Sequence, residues 1–103
     1  MDKLGVRRVI VEHYYTGAGR QRAVFLGSKF ERGHFALELK DGDEAELDVS
    51  YEPETEVRKG RAAWQPYAGG LGGSVDGMTA MRVNIKRVDG WVKLTLRRDD
   101  HGA

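Results

Sequence analysis

The sequence predicts an all-β fold, a small single-domain antiparallel barrel or two-sheet sandwich of about six to seven short strands, and three observations carry that prediction. Apolar, β-branched and aromatic residues alternate with polar ones at period two in short runs. Glycine punctuates those runs, and no segment shows a sustained apolar stripe at helical spacing. A chain of 103 residues, 40% hydrophobic and 32% charged, holds material for one core of modest size, so residues 1–103 read as one domain.

The first run, VRRVIVEHYY over 6–15, sets Val9, Val11 and His13 on one side, which puts His13 at the core side or its rim. The short connection TGAGRQR, 16–22, turns Arg20 and Arg22 outward. Strands are expected next over 22–31, 34–40 and 44–51. A three-residue loop, Asp41 to Asp43, would join the last two as a hairpin that opposes Leu37 to Leu47 and Phe35 to Val49. A further strand is expected over 56–65.

Between Pro66 and Met78 lie Gly69, Gly70, Gly72, Gly73 and Gly77, which predicts a flexible loop over 66–78 flanked by aromatics. Strands over 79–88 and 91–98 then form a hairpin around Asp89-Gly90, a dipeptide suited to a two-residue turn. That register opposes Ile85 to Leu94 and Val83 to Leu96 on the inner face. On the outer face it opposes Arg82 to Arg97 and Lys86 to Lys93, like charges that repel across a sheet. The tail over 99–103 is charged and predicted to be disordered.

The formal net charge of +1 conceals a segregation of sign. Nine acids fall between Glu38 and Glu56 against one base, Lys40, and the rest of the chain carries sixteen Lys and Arg against seven acids. Blocks of this kind make an interaction surface, or two charged elements that neutralise each other side by side.

Several chemistries are excluded or unsupported. The chain has no cysteine, which removes disulfides, thiolate nucleophiles and sulfur-ligated metals and suits a reducing compartment. Its longest N-terminal apolar run, Val9 to Val11, is too short for a secretion signal or a membrane span, so a soluble cytoplasmic protein is expected. Glu12 and His13 are adjacent and so point to opposite faces of a strand, the three histidines lack catalytic partners in the pattern, and the glycine-rich segment lacks the lysine and following helix of a phosphate cradle. No metal site, cofactor or catalytic residue is therefore assigned, and the protein is read as no enzyme. The nine residues VRKGRAAWQ, 57–65, are similar to a stretch of the plasmid-borne SH3-like dihydrofolate reductases. Asn84 and Lys86 stand where that family's pore carries Gln and Tyr, and no reductase chemistry is read from the similarity.

What remains is a binding module. The leading expectation is a protein-interaction, inhibitor or accessory protein of the kind phages and mobile elements carry, contacting its partner through Trp64, Tyr67 and Leu71 on the loop and Trp91 on the terminal hairpin. The alternative is RNA or single-stranded DNA, with Arg82, Lys86, Lys93 and Arg97 on phosphates and Trp91 stacking on a base. A third is a small apolar ligand enclosed within the β structure. Complementary charge blocks also allow a homo-oligomer.

Overall fold

The computed structural model describes residues 6–26, 33–75 and 77–101, with side chains described from Ile10 to Arg98 within those ranges. It is a two-sheet antiparallel sandwich, not a closed barrel. In chain order the elements are β1 (Val6–Tyr15), β2 (Gly19–Arg20), β3 (Val24–Phe25), β4 (His34–Glu38), β5 (Glu44–Ser50), α1 (Glu54–Arg58), β6 (Gln65–Pro66), β7 (Gly72–Ser74), β8 (Ala80–Arg87) and β9 (Val92–His101). One sheet has the order β1-β9-β4-β7, and the other runs β2-β8-β5-β6 with β3 also on β8. No helix among the described residues is long and apolar enough to cross a membrane.

Alternation places the expected residues inside. Phe35 and Leu37 of β4 and Val92, Leu94 and Leu96 of β9 are buried from one sheet. Leu47 and Val49 of β5 and Met81, Val83 and Ile85 of β8 are buried from the other, with Leu26, Val75 and Met78 completing the core.

Both expected hairpins are overturned as pairings. β4 pairs with β9 and β7, whereas β5 pairs with β8 and β6, so the connection through Asp41-Gly42 passes from one sheet to the other. β8 and β9 are likewise in different sheets, and Asp89-Gly90 is a crossing between layers. The two crossings touch, because the Asp89 backbone N–H donates to Asp43 Oδ1 at 2.9 Å and Arg87 Nε donates to the Gly42 carbonyl at 2.5 Å. Residues expected to oppose each other across a hairpin therefore come from different sheets and meet in one core. The physical reason lies in the outer faces. The observed pairing puts Asp48 opposite Arg82, Glu44 opposite Arg87 and Glu38 opposite Lys93, replacing the like-charge oppositions of the local hairpin with attractive ones.

One further expectation changes, and two other segments gain detail. The strand expected over 56–65 is instead the short helix α1 followed by irregular chain. Glu54 and Glu56 occupy its first turn and Arg58 its last, as the helix dipole favours, and Arg58 Nε binds Glu54 Oε2 at 2.7 Å. The glycine-rich stretch over 66–78 is not structureless. Its Gly72–Ser74 segment forms β7 against β4, the Leu71 carbonyl accepts the Leu37 N–H at 2.7 Å, and Val75 and Met78 enter the core. Within the tail expected to be disordered over 99–103, β9 continues to His101 with Val6 opposite; residues 102–103 lie outside the described residues, as do 27–31 of the expected second strand, of which β3 is the described part.

Candidate ligand-binding cleft

The two sheets end unequally on one side. β1 is ten residues long, but among the described residues the edge facing it in the other sheet consists of β2 and β3, two residues each and separated by Gln21 to Ala23. Among the described residues, the inward side chains of β1 therefore lack a full opposing row. The result is a cleft of about 480 Å³ at this open side. Val11, His13 and Tyr15 form one wall, Val24 and Phe25 with Ala23 the other, Leu96 the floor, and Arg22 stands in the lining. The volume lies within the range of small-molecule sites, which are mostly apolar with a few convergent polar groups.

The polar groups are few and specific. The Tyr15 hydroxyl oxygen is buried and has no hydrogen-bond partner among the described residues. Burial raises the Tyr15 pKa above its ordinary value, so the hydroxyl keeps its proton and remains a donor. An unpaired buried hydroxyl costs on the order of 1–3 kcal/mol, which makes it a marked feature in so small a core. The His13 and Tyr15 rings are nearly parallel, 14° apart in plane with centroids at 6.4 Å. Across the cleft the Phe25 ring is covered by the Arg58 guanidinium, 4.1 Å from its centroid. Among the described residues, no Asp or Glu lines the cleft.

The residues expected to bind polyanions do not form one groove. Arg82 and Lys86 lie on the outer face of one sheet, Lys93 and Arg97 on the outer face of the other. Arg82 Nε lies 3.5 Å from Asp48 Oδ2, Lys86 Nζ 3.2 Å from Glu46, and Lys93 Nζ 3.5 Å from both Glu12 and Glu38. Burial lowers the Lys93 pKa, but Glu38 and Glu12, with Tyr14, outweigh it and hold the ammonium above the ordinary lysine value. Arg97 is exposed beside a shallow depression lined by His34, Ala36 and Thr95.

The expected partner-binding residues are also dispersed. Trp64 is stacked under the Arg82 guanidinium at 4.2 Å, and Trp91 lies under Lys40 Nζ at 3.9 Å with the Tyr14 ring edge-on at 5.3 Å. Tyr67 packs edge-on against Phe35 at 5.0 Å, so it belongs to the margin of the core. Only Leu71 of the four is openly presented, 46% exposed.

The cleft residues Tyr15, Arg22 and Phe25 were not singled out by sequence as a site. One signal was present: the inward row Val11, His13, Tyr15 carries two polar rings on a core-facing side. The brevity of the opposing edge, which leaves that row uncovered, had no sequence signal. Comparison with protein-family models, with curated proteins and with solved structures finds no match for this chain.

Proposed function

We propose that this protein is a non-catalytic binding module whose ligand is a small, largely apolar molecule held in the cleft between the sheets. The observation that supports this reading is the cleft of about 480 Å³, whose lining among the described residues is mostly apolar and includes the rings of His13, Tyr15 and Phe25. A ligand would cover those apolar walls. The cysteine-free composition suits a cytoplasmic setting for such a module. The test is native mass spectrometry of the freshly purified protein, alongside a chemical-shift screen of small apolar compounds against the wild type and Leu96→Trp, which fills the floor. Hits that perturb Val11, Val24 and Leu96 and vanish in the variant support the reading; hits confined to other surfaces reject it.

A protein partner is the second reading, and exposed Leu71 on the rim of β7 favours it. There, loss of a captured partner on Leu71→Asp is the expected result. The nucleic-acid reading has the least support, since Arg82, Lys86 and Lys93 already have acidic neighbours and the four bases lie on opposite outer faces.

A further inference from the structure

We propose that the outer edge of β1 pairs with β1 of a second copy of this chain, antiparallel about a two-fold axis at Ile10, so that two four-stranded sheets join into one continuous sheet. The lengths of the sheet edges point there. Among the described residues three of the four edges are short: β2, with β3 beside it on β8, has two residues, β6 has two including Pro66, and β7 has three including Gly72 and Gly73. β1 has ten, its register with β9 runs from Val6–His101 to Tyr15–Val92 without a shift, and it holds no proline or lysine. Shortness, proline, lysine and bulges are the usual devices that keep an edge from adding a further strand. β1 lacks all four.

The occupant follows from the strand itself. Residues opposed in an antiparallel pair share a face, so a two-fold pairing that keeps inner with inner and outer with outer must centre on one residue of β1. Centred on Ile10, it opposes Arg8 to Glu12 of the second copy and, by symmetry, Glu12 to Arg8, while Val9 meets Val11 and Arg7 meets His13 on the other face. No other centre opposes a base to an acid. About Val11, Glu12 would meet Ile10; about Glu12 or Arg8, that residue would meet its own copy.

The side chains described on that face fit the pairing. Ile10 and Tyr14 are each about half exposed, and at the axis Ile10 would meet its own copy, burying apolar surface that the single chain leaves in water. Glu12 shares Lys93 with Glu38, each carboxylate 3.5 Å from Nζ, and its side chain is 42% exposed, so it keeps acceptor capacity for a second base. Every second residue of β1 also directs its N–H and C=O away from β9, which is what an added strand pairs with.

The experiment is sedimentation velocity of the full chain from micromolar to millimolar concentration, with NMR following the β1 amides. The expected result is a monomer–dimer equilibrium whose dimer shifts those amides. Arg8→Glu opposes acid to acid and Glu12→Arg opposes base to base, and each should weaken self-association about tenfold, since the reversed pair occurs twice. Mixed together, the two variants restore both attractive pairs and are expected to form a heterodimer about as tight as the wild-type dimer. That recovery separates contacts between copies from whatever each altered residue does within its own chain. Ile10→Lys, at an exposed position on the axis, should weaken the dimer to a similar degree while circular dichroism shows the fold kept. A chain that stays monomeric at the highest concentration overturns the proposal, as does a dimer that tolerates all three variants and so forms elsewhere. Reversed variants that associate no better together than apart overturn the register and, with it, the second copy as occupant. A monomer whose β1 amides shift only when another protein is added assigns the edge to a foreign strand and rejects self-pairing.

Discussion

Gly73 and Tyr67 fit together because the glycine has no side chain: a Cβ at Gly73 would overlap the Tyr67 hydroxyl and lie 3.4 Å from the ring carbon that bears it. Gly69 is constrained by the same ring, and a Cβ at Gly72 would come 3.0 Å from the Phe35 carbonyl. Glycines that read in sequence as freedom are thus a slot, into which the Tyr67 ring lies against Phe35 and over β7. Gly73→Ala is expected to destabilise by about 1–3 kcal/mol through overpacking. Tyr67→Phe removes the clashing oxygen, so a double-mutant cycle by urea denaturation should show the alanine costing less in that background.

The Arg82 guanidinium lies between Asp48 and the Trp64 ring, with side chains only 18% and 22% exposed for the ion pair. Removing the carboxylate by Asp48→Ala leaves a half-buried cation uncompensated, an expected loss of about 1–2 kcal/mol. The exposed helical pair Arg58–Glu54, at 59% and 44%, should contribute only about 0.3–0.5 kcal/mol, and that contribution should fade with added salt. Chemical denaturation of Asp48→Ala and Glu54→Gln at two salt concentrations separates the two cases.

Lys93 makes a test in alkaline solution. Its pKa is raised in the folded state, so the stability it contributes is fully present below the ordinary lysine value and is lost as pH rises through the raised one. Tyr15 is raised too and acts in the same direction above the ordinary tyrosine value. Thermal melting should therefore fall above about pH 10, and Lys93→Gln should lower the melting point at neutral pH while making the alkaline decline shallower. An unchanged pH profile in Lys93→Gln would refute the assignment.

Labelled single-stranded RNA gives a direct reading of the outer faces. With Lys86 against Glu46 and Lys93 between Glu12 and Glu38, fluorescence anisotropy should detect no binding at low salt. Glu12→Gln with Glu38→Gln would free Lys93 and is expected to produce at most weak, salt-sensitive binding. Tight binding by the wild type would restore the nucleic-acid reading.

Which side of each strand faces the core was legible in the sequence, and which strand lies beside which was not. Leu47, Val49, Met81, Val83, Ile85, Leu94 and Leu96 are all buried as alternation requires. Period two assigns a face but names no neighbour. Gly42 and Gly90 adopt φ of 91° and 93°, as Asp-Gly turns favour, yet both turns deliver the chain to the opposite sheet. The charge blocks held the missing information: acids at 44, 46 and 48 complement bases at 82, 86 and 87 in the strand pair that forms. Pro53 followed by Glu54, Glu56 and Arg58 also carried the signature of a helix start and end that the β-rich context obscured. The cleft was hidden for a different reason, since it arises from a difference in length between two edges among the described residues, which only the assembled sheets show.

The partner of β1 in its sheet is β9, and the register joins Val6 to His101 and Tyr15 to Val92. A ribosome makes the first of these strands long before the second, so during synthesis a ten-residue segment waits with its backbone bonds unmet while the rest of the chain emerges. Neither turn-linked strand pair can shelter it, because each turn leads to the other layer. Emergence of β9 is then the event that closes this sheet, and nascent chains stalled before β9 are expected to be the species that chaperones hold and proteases clear.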